Sequence, residues 1–462
     1  MEGILNLFFR QVLYRDLGCA SYIVGDAGEA VVIDPRWSID VYLEIAVAEQ
    51  VEITHVIDTH EHADHVSGRP ALVQATGAQG HRPATGESAP DLVRAGDEIA
   101  IGSLLIRAVG TPGHRPEHLS FIVCDRSRGD DPWLVVTGDT LLVGDVARPD
   151  LAYEPSEGAE ALHGTLRELL DLGDHVEIWP AHVGGSLCGG AGLSMKTSST
   201  IGYERLHNRL LSLDTPGFVD GVTASLPCRP PNIERIVELN RRTDGRVPAE
   251  PLTLNPASLA ELFAAGAVVL DSRSPADFDA GHLPGAINLP VTSAGFGTRA
   301  GWALDPEQPL VIVAGDATAI RTTTSQLQAV GFWNLGGACA ADPVAWEHAG
   351  LPIAESDSWD LDRLALGLLD DAVELVDVRE QSEWVHGHVD GSHHVPLNRL
   401  RDVGSVPPAV DGRVTAVACA AGVRAAFAAS LLRRTGRHDV VRVAGGGVPD
   451  LASRGIELAH GD

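Results

Sequence analysis

Four candidate metal ligands, His60, His62, Asp64 and His65, fall within six residues in Thr59-His60-Glu61-His62-Ala63-Asp64-His65. Three more candidates each follow a short apolar run: His114 in Gly110-Thr111-Pro112-Gly113-His114, Asp139 in Thr137-Gly138-Asp139, and His182 in Pro180-Ala181-His182. Imidazole and carboxylate are the donors that bind Fe(II), Mn(II) and Zn(II), so these residues point to metal chemistry. A second chemistry is written in Val417-Ala418-Cys419-Ala420-Ala421-Gly422-Val423-Arg424. A loop leading into a helix aims backbone N–H groups and positive potential at the thiol, which stabilises a thiolate or a persulfide on Cys419. Gly422 allows backbone geometry that other residues resist, and Arg424 either contacts an anion or fixes the loop.

Each of these groups needs a rigid support. The runs Val31–Ile33, His55–Ile57, Leu104–Val109, Leu119–Val123, Leu134–Val136 and Val176–Ile178 read as strands, with helices over Val41–Gln50 and Ala159–Leu172. The ligand candidates then sit on loops at strand ends, the usual place for functional groups on a sheet. Further on, Glu374–Val378, Val414–Ala418 and Val440–Val443 read as strands and Arg424–Arg434 as a helix. Strands alternating with helices imply a parallel sheet covered on both faces.

The C-terminal half repeats itself. Asp271, Arg273, Phe278, Gly281-His282, Gly285 and Pro290 recur as Asp377, Arg379, Trp384, Gly387-His388, Gly391 and Pro396, at one offset of 106 residues. That period is too long for a solenoid unit, so a whole domain is present twice. Breaker-rich linkers fall near Val247–Pro251 and Pro352–Asp357. The expected domains are therefore 1–247, 252–354 and 358–462.

Composition limits the partners. The chain has 462 residues, a net charge of −29 and one lysine, Lys196. That balance disfavours nucleic acid and anionic membranes, which require clustered cations. Six cysteines without a CxxC pair do not make a disulfide scaffold. Met1–Arg10 carries an early acid and too short an apolar run for a signal peptide, so the cytoplasm is the expected location.

The ordered set from His60 to His182 resembles the metallo-β-lactamase fold, an αββα sandwich. Thr137-Gly138-Asp139 through Arg148, Asp150 and Leu151 is similar to its persulfide dioxygenase branch. That resemblance implies one Fe(II) per chain held by His60, His114 and Asp139, with O2 as co-substrate. His62, Asp64, His65 and His182 would then orient the ligands, or would hold a second metal in a binuclear site of the glyoxalase II kind. The repeated domains resemble rhodaneses, α/β domains with parallel sheets. Four residues between Cys419 and Arg424 give a loop sized for sulfur, where phosphatases usually have five.

In the first copy, alignment of Arg321 with Arg424 puts Asp316 where Cys419 stands. A carboxylate does not carry sulfane sulfur, so that copy is expected to be inactive. Gly184 to Gly190 and Ser198 to Arg205 resemble a segment of fusions in which a persulfide dioxygenase precedes an inactive and then an active rhodanese. Cys188 in that segment either receives or guides a persulfide, or is a buried small hydrophobe. Cys339 reads as a packed residue, and Cys19, Cys124 and Cys228 have no local context that suggests chemistry. The implied substrates are a low-molecular-weight thiol persulfide and sulfite, giving thiosulfate, on a homo-oligomer. The rival expectation is a Zn-dependent thioester hydrolase fused to a sulfurtransferase.

Overall fold

The computed structural model describes residues 7–84, 89, 91–186, 188–190, 192–224, 226, 228–242, 246–400, 406–410 and 412–461. Residues 1–6 of the N-terminal stretch discussed above lie outside them. One compact unit comprises Met1–Arg229, Ile233–Val247 and Ala329–Gly331; the other comprises Pro230–Asn232, Pro248–Gln328 and Phe332–Asp462. Among the described residues no helix is long and apolar enough to cross a membrane.

The first unit contains two six-stranded sheets. In the first sheet β1 (Phe8–Tyr14), β2 (Cys19–Asp26), β3 (Glu29–Ile33), β4 (Glu52–Ile57), β5 (Gln79–Pro83) and β6 (Leu92–Val93) lie in sequence order. β1 to β3 pair antiparallel, and β3 to β6 pair parallel. The second sheet has the order β12 (Ser199–Thr200), β11 (Glu177–Pro180), β10 (Leu134–Gly138), β9 (Leu119–Asp125), β8 (Leu104–Gly110), β7 (Glu98–Ile101).

Alternation along the strands explains the layering, because successive side chains point to opposite faces. Tyr22, Val24, Val31, Ile33 and Ile57 meet Ile106, Phe121, Val123 and Val136 between the sheets. Their neighbours Ile23, Val32 and Val56 face outward, onto Tyr42 and Ala46 of helix Asp40–Glu49. On the other side Ile122 and Val135 face Ala159, Leu162, Leu166 and Leu169. Those four recur at helical spacing on Pro155–Leu170, a helix that starts four residues earlier than its apolar pattern suggests because Pro155 suits the first turn. The result is the expected four-layer αββα sandwich, with the ends of β4, β8 and β10 opening toward one edge.

The second unit holds the two copies. The first has β13 (Val268–Asp271), β14 (Ile287–Asn288), β15 (Leu310–Ala314) and β16 (Leu335–Ala340) in the order β14-β13-β15-β16, all parallel. The second has β17 (Ser358–Trp359), β18 (Val373–Asp377), β20 (His393–His394), β21 (Val414–Ala418) and β22 (Val440–Val443) in the order β17-β22-β21-β18-β20, also parallel. A two-stranded pair, β19 (His388–Val389) with β23 (Leu458–Ala459), closes it. Read from β20, the second sheet repeats the first.

The repeated motif forms the same clip in both copies. Arg273 reaches Asp271 at 2.5 Å and the Gly281 carbonyl at 2.8 Å; Arg379 reaches Asp377 at 2.6 Å and the Gly387 carbonyl at 2.7 Å. Phe278 stacks on His282 at 3.8 Å, and Trp384 stacks on His388 at 3.9 Å.

Candidate metal centre and sulfur-transfer loop

His60 and His114 emerge just beyond β4 and β8, and Asp139 just beyond β10, so three sheet positions converge on one point. His60 Nε2 lies 3.8 Å and His114 Nε2 3.3 Å from Asp139 Oδ2, with all three side chains fully buried. These same three atoms have no hydrogen-bond partner. Leaving a buried lone pair unused costs about 1–3 kcal/mol, so three such atoms facing one another describe a place for a cation.

Every other polar atom of the three is committed. Thr59 Oγ1 donates to Asp34 Oδ2 at 2.9 Å and accepts from His60 Nδ1 at 2.9 Å. The Arg148 carbonyl accepts from His114 Nδ1 at 2.9 Å. Both rings therefore carry their proton on Nδ1 and offer a bare Nε2 lone pair. His182 Nδ1 donates to Asp139 Oδ1 at 2.6 Å, leaving Oδ2 for the metal. Burial holds His60 well below the usual histidine range and lowers His114, so both are neutral donors. Burial opposes ionisation of Asp139, but His182 outweighs it and keeps the carboxylate charged.

The remaining pattern residues are arranged differently. Asp64 Oδ2 accepts from His182 Nε2 at 2.9 Å and from Cys19 Sγ at 3.1 Å, while Asp64 Oδ1 accepts from His65 Nδ1 at 3.0 Å. His62 Nε2 donates to Asp34 Oδ1 at 3.1 Å, and Asp34 raises His62 to about 9 against the effect of burial. His65 and His182 are thus both tied to Asp64, whereas His62 Nδ1, like the facing atoms of the His60 set, has no hydrogen-bond partner. Asp139, His182 and Cys188 also lie within 4.8 Å of one another through their donor atoms. Burial pushes the Cys188 thiol up to about 12.

Several participants are not legible in the sequence. Cys19, which has no chemical context in the sequence, hydrogen-bonds Asp64 from the start of β2. Asn240 on helix Ile233–Arg241 donates to the carbonyls of His62 and His65 at 2.9 Å each, although it follows His62 by 178 residues. Arg115 ties the two ligand loops together through Glu117 at 2.6 Å and Glu61 at 3.5 Å. His118 is also buried here, and its place in His114-Arg115-Pro116-Glu117-His118 is the one local signal available.

In the second copy, Cys419 directly follows β21 and is 2% exposed. The Gly422 N–H donates to its Sγ at 3.0 Å, and Gly422 has φ of +87°, which an L side chain resists. Helix Val423–Arg434 begins only after this loop. Arg424 is held by Glu383 through two bonds of 2.6 and 2.8 Å. In the first copy the helix spans Ala317–Ala329 and starts directly after Asp316. Asp316 caps it by accepting from the Ala319 N–H at 2.8 Å. Cys339 packs in the core of β16, Cys124 packs in β9 and Cys228 is exposed.

Comparison with known proteins agrees with this division. The metallo-beta-lactamase superfamily model matches residues 14–182, and the rhodanese-like domain model matches 255–337 and 361–453. A hydroxyacylglutathione hydrolase from Polaromonas sp. (strain JS666 / ATCC BAA-500) is 34% identical over 162 residues, 34% of this chain. The chain spans 58% of that relative's length. A hydroxyacylglutathione hydrolase from Anaeromyxobacter dehalogenans (strain 2CP-C) is 29% identical over 45% of this chain and 87% of its own. A metallo-beta-lactamase structure from Staphylococcus aureus subsp. aureus COL is 28% identical with a TM-score of 0.64, covering 73% of this chain and 99% of its own. The chain is thus a metallo-β-lactamase fold followed by two rhodanese domains.

Proposed function

We propose that this chain is an Fe(II)-dependent persulfide dioxygenase coupled to a thiosulfate-forming sulfurtransferase in the cytoplasm. One observation carries the metal half: His60, His114 and Asp139 each turn one unpartnered buried donor atom toward the others. Two imidazoles and one carboxylate on one face leave coordination positions open for both substrate sulfur and O2. A divalent iron held there would bring the two reactants together and carry electrons between them.

The chain's own residues set the stage. Thr59, the Arg148 carbonyl and His182 fix the three donors, whose side chains are fully buried. The net reaction is RSSH + O2 + H2O → RSH + sulfite + 2 H+. In the second copy, the Cys419 thiolate attacks the outer sulfur of a persulfide, releasing RSH and leaving a Cys419 persulfide. Sulfite then takes that outer sulfur, forming thiosulfate and restoring the thiolate. The Gly422 N–H stabilises the sulfur anion throughout. Cys188, buried and with its thiol raised, serves as a wall of the metal site rather than as a carrier.

A second reading has its own support. The curated relatives bear the name hydroxyacylglutathione hydrolase, and further ligand-type groups, His62 with Asp64 and His65, and His182 with Asp139, lie close enough together to hold a second ion. A two-zinc site would then generate hydroxide to cleave a thioester. Metal content with O2 uptake on a synthetic persulfide separates the two. About one iron per chain and uptake abolished by His60→Ala, His114→Ala or Asp139→Ala supports the dioxygenase. Two zincs per chain, with hydrolysis of a hydroxyacylglutathione and no O2 uptake, supports the hydrolase.

A further inference from the structure

His118 binds nothing in the scheme above, yet it contacts two of the three proposed ligands. Its Nε2 accepts the backbone N–H of Asp139 at 2.9 Å. Because that nitrogen is an acceptor, the ring proton must sit on Nδ1, where Thr111 Oγ1 lies at 2.8 Å and Thr140 Oγ1 at 3.2 Å. Thr111 Oγ1 is in turn 3.0 Å from Ser120 Oγ, so the Nδ1 proton enters a buried chain of hydroxyls. The ring face lies against His60, with centroids 5.0 Å apart and planes 26° from parallel.

Its neighbourhood leaves no room for drift. Gly138 has φ of +51°, and a Cβ there would lie 2.6 Å from His118 Nε2 and 2.9 Å from Thr59 Oγ1. The glycine therefore lets the Asp139 turn close directly onto His118. The ring is fully enclosed, at 1% exposure, so substrate does not reach it.

We propose that His118 is a positioning residue that sets the Asp139 carboxylate and the His60 ring for metal binding. This rests on the metal reading above. A buried imidazole could serve as packing alone, but packing needs neither the accepted N–H nor the fixed tautomer. His118→Phe keeps the ring against His60 and removes both hydrogen bonds. His118→Gln keeps an acceptor near the Nε2 position.

The test uses the full chain and Co(II) as the probe, with affinity from equilibrium dialysis and site geometry from the visible absorption bands. His118→Phe should weaken Co(II) binding about 10–100-fold, the usual cost of losing a group that orients a ligand, and should shift the bands. His118→Gln should recover most of both. If the Phe variant does not fold, Thr111→Val carries the test, with a smaller loss in the same direction. Wild-type affinity and spectrum in the folded Phe or Val variant would overturn the role of His118. A wild-type chain whose Co(II) binding is indifferent to His114→Ala would instead overturn the metal site itself.

Discussion

The two copies in the second unit share a parallel-sheet scaffold and differ in the loop that follows the central strand. Asp271–Arg273 and Asp377–Arg379 make matching ion pairs, and the same aromatic–histidine stacks follow them. Their central strands, β15 and β21, occupy the same place in parallel sheets. After those strands the copies part. In one, Cys419 to Gly422 form an open loop with an N–H on the sulfur; in the other, the helix begins at Ala317 and takes up that stretch. What the duplication kept is the support, and what it changed is the residue after the central strand, cysteine or aspartate, together with the loop around it.

Sulfurtransferase activity should show that difference most strongly. Cys419→Ser should lower thiosulfate formation by roughly 10^3-fold or more, the scale on which losing a nucleophile acts. Asp316→Ala should leave the rate unchanged in the same assay. A reversed pattern would break the comparison. Grafting the thiol sharpens it: Asp316→Cys should give no second active site, because the helix starting at Ala317 supplies no loop.

The clips should matter equally in both copies. Arg273→Met and Arg379→Met each strand a buried carboxylate, and each should cost about 3–5 kcal/mol in denaturant unfolding. Unequal losses would mean that the two scaffolds are not equivalent. The smallest effect is expected at Gly422→Ala, where a left-handed residue costs about 1–2 kcal/mol. Sulfur transfer should fall with it, since the Gly422 N–H would leave the Cys419 sulfur.

Much of this was legible from local pattern. His60, His114 and Asp139 announce themselves because ligand types follow apolar strands directly, and Cys419 because a strand and a helix flank it. The strands that read cleanly, such as Leu104–Val109 and Val414–Ala418, are apolar except at one position each, Arg107 and Thr415. The hairpin of β1 and β2 was missed; its polar positions, Arg10, Gln11 and Ser21, interrupt the apolar pattern. Cys19, Asn240 and the Glu61–Arg115–Glu117 network were illegible for a different reason: their partners are distant in sequence, and only the fold brings them together. The absent loop in the first copy could be guessed from the missing glycine, but the extra helical turn that replaces it could not.

The link between the two chemistries is tested most directly by following sulfur products from a synthetic persulfide in wild type and Cys419→Ser, with O2 uptake recorded in parallel. Both proteins should consume O2, because the substitution lies outside the His60, His114 and Asp139 set. Wild type should yield thiosulfate, and the variant should yield free sulfite in its place. Thiosulfate appearing at the wild-type rate in Cys419→Ser, after subtraction of non-enzymatic condensation, would contradict the coupled account.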